Sequence, residues 1–423
     1  MNNFSDAEVS IFFSPERRED VKKGQPIFFL WRANAVTLFE EPTWFLHKHY
    51  VTRAGTASKH TWAAAAHDMK CWFQYIQARG GHWRDASEHD RAAFADDYSQ
   101  SISSRTGHEF GEGTTNRRLS TVRAFYGFAR QHGWYSGDIG ESVQMIHISN
   151  SPIDADALAH IRSTTGRRVE KDPLLRKIGR NDVVRPLLVK ELRKLRASVG
   201  PSTDDRQGDM RRVRDRIILD CGWVCGMRLN DVLHLTTLKF LSLTVEPGQE
   251  FQDFPVVVEK SKGKVARLVS VPGWLVLDIQ HYIETEREKS TKVRHAKAET
   301  RLFLGHADSR GAGKPISHSA IQKMIALACQ KAGIVEMVER VDPETGKNIQ
   351  RVAPKHSFHD LRHNCAVLTY HAEKARGNSE PWKTVQVKLG HKSLKVTVDT
   401  YLAYVELFGE KHGITDIRRL LRI

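Results

Sequence analysis

The chain has 423 residues, of which 40% are hydrophobic, and it carries a formal net charge of +15. That length exceeds what one core comfortably serves, so two or three domains are expected, and the apolar content excludes a disordered chain. No run of about 18 apolar residues occurs, which excludes a membrane-spanning helix. The opening stretch MNNFSDAEVSIFFSPERRED places acids ahead of its short apolar run and has no basic leader, so no secretory signal is expected. The five cysteines are scattered and odd in number, which fits a reduced, cytoplasmic protein rather than a disulfide framework. Cys221 and Cys225 sit one helical turn apart but among Ile, Leu, Trp and Val. They read as buried thiols, and no metal site is expected. The positive charge suits a polyanionic partner without choosing between DNA, RNA and an acidic membrane surface.

In chain order, residues 1–39 form an extension whose role the pattern does not reveal. Trp62, Ala66, Met69, Phe73 and Ile76 then recur on one face of a helix over 56–76, capped by Thr56 or Ser58 and ended by Gly80-Gly81. A second helix over about 88–103 carries Phe94 and Tyr98, and a third runs over about 115–132. In the third, Leu119, Val122, Phe125 or Tyr126, and Ala129 form the buried stripe, while Arg117, Arg118, Arg123 and Arg130 lie elsewhere on the cylinder. Residues 40–140 therefore read as a small helical domain with a basic surface, whose Arg117, Arg118 and Arg123 are candidate DNA contacts or simply a solvated face.

Residues 141–184, rich in Arg, Lys, Gly and Pro, read as a basic linker able to follow a phosphate backbone or to stay in solvent. A second domain spans 185–423. It opens with the helices LLVKELRKLRASV and VRDRIILDCGWVCGMRLNDVLHL, the latter interrupted at Gly-Met-Arg. FPVVVEK and VARLVSVP are short β-branched runs joined by Ser261-Lys262-Gly263-Lys264, a hairpin signature. Helices resume at GWLVLDIQHYIETERE and SHSAIQKMIALACQKAG. VERVDPETGKNIQRVAP is a hairpin or extended insertion over about 334–354, and helices follow to a tail helix at about 412–423.

The chemistry concentrates in this second domain. On a helix His359 and Arg362 share a face, and an imidazole beside a guanidinium binds phosphate and manages a proton next to it. His391 stands in a Gly-ended turn, and Tyr401 follows it at a distance of ten residues. Arg228, at a glycine break within an apolar segment, requires an anionic partner, which Asp231 or a phosphate supplies. Lys262 at a hairpin tip is by itself an ordinary turn residue.

Read together and in order, these segments resemble the tyrosine recombinase (phage integrase) family. GMRLNDVLHL is similar to that family's first arginine box, EKSKGKVARLVSVP to its lysine hairpin, FHDLRH to its H-x-L-R-H box, and LGHKSLKVTVDTY to its L-G-H box and nucleophilic tyrosine. TNRRLSTVRAFYGFAR resembles the end of its helical core-binding domain, so about two thirds of the chain is covered. The departures are Asp231 in place of the commoner Glu, Asn364 where Thr or Ser is frequent, and Lys260 and Lys264 as neighbours that compete with Lys262. Tyr404 is a rival to Tyr401, which the spacing from His391 favours.

The resemblance implies a mainly α protein with a small antiparallel β-sheet (α+β), in which a helical core-binding domain and a mixed catalytic domain form a C-shaped clamp on double-stranded DNA. It implies that Tyr401 is the nucleophile, that Arg228 and Arg362 clamp the scissile phosphate, and that Lys262 is the general acid. His359 is then the base or proton partner and His391 a phosphate donor, with Asp231 and His363 supporting and Arg267 near the DNA. No cofactor or metal is implied. The family works as a homo-tetramer on paired recombination sites, which would dock the tail on a neighbouring subunit, with no membrane involved. A type IB topoisomerase and a non-enzymatic DNA-binding protein of the same fold are the alternatives; the first lacks an L-G-H box and the second would have lost catalytic residues.

Overall fold

A computed structural model describes residues 4–33, 35–52, 57–103, 107–140, 144–148, 167–176, 187–203, 208–258, 266–294, 299–342, 345–391 and 393–411. The chain is mainly α-helical with small antiparallel sheets, and it divides into two compact units. The first comprises Met1–Asn181 with Arg340–Ile349, and the second Asp182–Glu339 with Gln350–Ile423.

The first unit opens with a three-stranded antiparallel sheet of β1 (Glu8–Phe13), β2 (Pro26–Arg32) and β3 (Ala35–Leu38). The segments EVSIFF and PIFFLWR are apolar runs with little alternation, so the period-2 signal that marks a half-buried strand is weak in them. Val9 and Phe28 on the inner face enter the same core as Phe45, Met69, Trp72, Phe73 and Phe125. Residues 8–38 are thus part of the helical unit's packing. Helices α1 (Glu40–Leu46), α2 (Lys59–Ala78), α3 (Glu88–Gln100) and α4 (Glu112–Gln131) follow. Ser58 caps α2 through Thr61 N, and Ser87 with Asp90 forms a capping box on α3.

The basic face of α4 needs one correction. Arg118 is not on the surface: it is only 8% exposed, with its guanidinium 3.8 Å from the Tyr98 ring centroid and 3.4 Å from Asp68. An aromatic shelf and a buried carboxylate draw it inward. Arg117 remains half-exposed while bonding Asp68 at 2.5 Å, and Arg123 lies 3.9 Å from Asp172. In the region read as a linker, β4 (Gln144–Ile148) pairs with β5 (Arg167–Lys171). Beyond β5 the backbone of Arg176 exchanges two hydrogen bonds with the Asn116 amide, and the Asp172 carboxylate bonds the buried Arg91. Residues 172–176 are thus docked on the helices rather than left in solvent.

The second unit contains α5 (Val189–Val199), α6 (Val213–Trp223), α7 (Leu229–Leu233) and α8 (Leu238–Leu241), then the ladder of β6 (Asp253–Val258) with β7 (Arg267–Pro272). After it come α9 (Gly273–Tyr282), α10 (Glu288–Arg294), α11 (His318–Lys331), the two-stranded sheet of β8 (Val335–Val341) and β9 (Asn348–Pro354), whose Arg340–Ile349 portion belongs to the first unit, and α12 (Phe358–Ala375), α13 (Pro381–Leu389) and α14 (Leu394–Lys411). Helix α6 is buried on every side and packs against α12, α9 and α5, which makes it the centre of the unit. Its apolar surround also encloses the Cys221 and Cys225 thiols, which are free, buried and pushed well above the ordinary thiol range. No group of metal-ligating side chains occurs among the described residues. The tail residues 412–423 lie outside the described residues.

Candidate active site

Two glycines shape the site. Gly226, at φ 62°, breaks the chain between α6 and α7, and a Cβ there would lie 2.9 Å from Leu389 and 3.1 Å from the Cys365 sulfur. Gly390, at φ 63°, ends α13 in the left-handed region. Both positions therefore demand a residue without a side chain. They bring two backbone carbonyls, those of Gly226 and Leu389, to the guanidinium of Arg362 on α12. Arg362 is 2% exposed, with the Leu389 bond at 2.5 Å. Burial, followed by the charges of Arg228 and Arg267, pulls its pKa down to about 10.

Arg228 stands at the start of α7, where its backbone N–H donates to Asp231 Oδ2 at 3.1 Å. Among the described residues its guanidinium has no hydrogen-bond or ion-pair partner, and burial with the nearby Arg267 charge lowers its pKa. A half-buried guanidinium with no hydrogen-bond acceptor among the described residues is suited to an anion from outside.

Asp231 does not brace the Arg228 guanidinium. Its side chain is fully buried, and Oδ2 accepts instead from Arg267 Nη2 at 2.7 Å. The other end of Arg267 donates to the carbonyls of Lys388 and Leu389, at 3.4 and 3.2 Å. Arg267 thus ties β7 to the start of α7 and to the end of α13. Sequence reasoning had no means of pairing it with Asp231, because the two are distant in the chain and neither spacing nor residue type predicts the contact.

Tyr401 on α14 is 2% exposed, and its hydroxyl lies 3.0 Å from Nδ1 of His363. Burial raises the phenol to about 12, against the opposing pull of Arg362 and Arg228. His363 is held down to about 4 by burial and then by the adjacent His359, whose ring meets it edge-on at 4.6 Å. His359 itself is exposed at the first turn of α12, and its pKa is lowered by partial desolvation and then by Arg362. The imidazole in contact with the tyrosine is therefore His363, one helical turn beyond His359.

His391 stacks parallel to the Tyr401 ring at 6.2 Å. Its Nδ1 lies 2.9 Å from Thr397 Oγ1, a partner on α14 that no sequence signal marked. Burial and the three arginines Arg362, Arg228 and Arg267 bring it down to about 4. Tyr404 is half-buried against the same small core that holds Tyr401. Lys262, with Lys260 and Lys264, lies outside the described residues.

A buried phenol, three arginines and three histidines thus converge where α7, β7, α12, α13 and α14 meet. Two family models match the chain: the phage integrase family over residues 202–406, and the phage integrase N-terminal SAM-like domain over residues 46–133. The chain belongs to the phage integrase family, the tyrosine recombinases. In sequence, no curated protein matches it. Among solved structures, the XerH site-specific recombinase bound to palindromic difH substrate, in a post-cleavage complex, is similar with a TM-score of 0.50 and 16% identity. That likeness covers 84% of this chain and 80% of the other, and it shows the tyrosine recombinase fold. A lambda integrase dimer bound to a COC' core site has a TM-score of 0.45 at 14% identity, covering 83% of this chain and 95% of that one. The Tn1549 transposon integrase with transposon right end DNA has 0.46 at 13%, covering 86% and 98%. In this tyrosine recombinase the residues of the arginine box, the H-x-L-R-H box and the L-G-H box all reach one site, and Arg267 joins them as the link between the first and the last.

Proposed function

We propose that this tyrosine recombinase is a site-specific DNA strand transferase whose nucleophile is Tyr401. The observation that carries the reading is the placement of the Tyr401 hydroxyl on His363, within the field of Arg362 and Arg228. In-line attack by the phenol on a phosphodiester places negative charge on the equatorial oxygens, and guanidiniums meet that charge in a fixed fork. The phenol oxygen forms a bond to phosphorus, the 5′ oxygen leaves, and the strand is held as a 3′-phosphotyrosyl ester. A buried phenol raised to about 12 needs a proton acceptor, and the neutral His363 is positioned to be one. His359, further out on the same face, is the rival base.

Arg228, whose guanidinium has no hydrogen-bond partner among the described residues, takes a non-bridging oxygen, and Arg362 a second. His391 donates to the same phosphate. Lys262 is assigned by family resemblance as the acid for the leaving 5′ oxygen. The phosphotyrosyl ester conserves the energy of the broken bond, so the reading assigns neither a nucleotide nor a metal. Religation to a partner strand, twice over, passes through a Holliday junction and serves integration, excision or transposition, with four copies on two duplexes.

A paired-site assay tests this. Two duplexes carrying the target site should yield exchanged strands in the presence of the wild-type chain. Relaxation of supercoils without exchange would favour a topoisomerase, and DNA binding with neither would favour a non-enzymatic role.

A further inference from the structure

The N-terminal sheet has two faces, and only the inner one is accounted for by the core. The register of β1 with β2 and of β2 with β3 puts Phe12, Ile27, Phe29, Trp31, Val36 and Leu38 together on the outer face. Four of these are about half exposed: Phe12 51%, Trp31 51%, Val36 49% and Leu38 48%. Strand β3 is moreover an edge whose four residues are all exposed, and it carries no proline, charge or bulge of the kind that blunts edges. The sheet precedes the first residue matched by either family model.

We propose that this face is a self-association surface, on which a second copy of the chain docks sheet to sheet with the β3 edges adjacent. The face has no lysine or arginine, and its one charged residue is Glu8, opposite Trp31. DNA, which is bound through phosphate contacts, has no cation to meet there. Two chains of net charge +15 repel one another over most of their surface, and an uncharged patch is where they approach at least cost.

The area suits a weak dimer. With aromatic side chains offering roughly 150–250 Å² each, the four half-exposed residues present on the order of 350 Å² of apolar surface per copy. Doubled, that is about 700 Å², to which the half-buried Ile27 and Phe29 add; it falls below the roughly 1,200 Å² of a stable interface, in the range of a weak, concentration-dependent one. An isologous contact of identical patches closes at two copies.

Sedimentation equilibrium of the full chain without DNA tests the proposal independently of any cleavage chemistry. The wild-type mass should rise from monomer to dimer as concentration reaches tens of micromolar. Phe12→Glu on β1 and Leu38→Glu on β3, each at a half-exposed position and checked for an unchanged melting temperature, should each raise the dissociation constant at least tenfold. A wild-type chain that stays monomeric throughout, or a dimer that neither substitution weakens, would overturn it.

Discussion

Nδ1 of His363 lies 3.0 Å from the hydroxyl of Tyr401, and the two rings meet at 58°. This contact places His363, rather than His359, beside the phenolic proton in the proposed reaction. His363→Ala is therefore expected to slow covalent adduct formation by about 100-fold, in the range ascribed to a positioned base. His359→Ala should cost less. Single-turnover cleavage of one substrate by both variants checks the order, and a larger loss at His359 would reverse the assignment.

Arg228 and Arg362 are separated by what they do for the protein itself. Arg362 holds the carbonyls of Gly226 and Leu389, whereas the Arg228 guanidinium is free of protein partners among the described residues. Arg228→Ala should lower the cleavage rate by about 100- to 1,000-fold, as for loss of one charge-stabilising donor, with little change in melting temperature. Arg362→Ala should lower both, because it strips the Gly226 carbonyl of its donor and leaves the Leu389 carbonyl with Arg267 alone. Thermal denaturation alongside cleavage assays distinguishes the two.

The Asp231–Arg267 pair is a structural brace with one fully buried member. Removing Arg267 leaves Asp231 as a buried carboxylate without its counter-ion, which costs about 3–5 kcal/mol. Arg267→Gln should therefore depress the denaturation midpoint clearly, and Arg267→Gln with Asp231→Asn should recover part of the loss. Urea titration of Arg267→Gln, Asp231→Asn and the double variant measures it; additive losses would deny the coupling.

The histidines give a signed pH dependence. His363 and His391 are both brought down to about 4 in the folded chain, below the unfolded value near 6.5. Between those values the unfolded chain binds protons that the folded chain does not. Stability is therefore complete above about pH 6.5 and falls as pH drops towards 4, by up to about 1.4 kcal/mol per pH unit for each histidine. Denaturation midpoints in this window should slope less in His391→Gln than in wild type.

Much of this was legible in the sequence because the boxes are local. Gly226-Met227-Arg228, His359 to His363, and Gly390-His391 each carry their turn or helix signal within a few residues. The helices followed from 3.6-residue periodicity in the same way. What stayed hidden depends on contacts between distant segments. The outer-sheet residues of β1 and β2 lacked alternation, since both faces are apolar. Arg118 looked like a surface cation until Tyr98, Phe110 and Asp68 were placed round it. The link from Arg267 to Asp231 spans separate elements, as does that from His391 to Thr397 on the next helix, and only folding brings them together.

The most direct measurement uses a DNA substrate nicked near the crossover point, so that cleavage releases a short strand and traps the protein on the DNA. Wild type is expected to give an adduct that survives SDS, and Tyr401→Phe none, while both bind the DNA equally. Persistence of the adduct in Tyr401→Phe would contradict the assignment and move the nucleophile to another residue, with Tyr404 first in line.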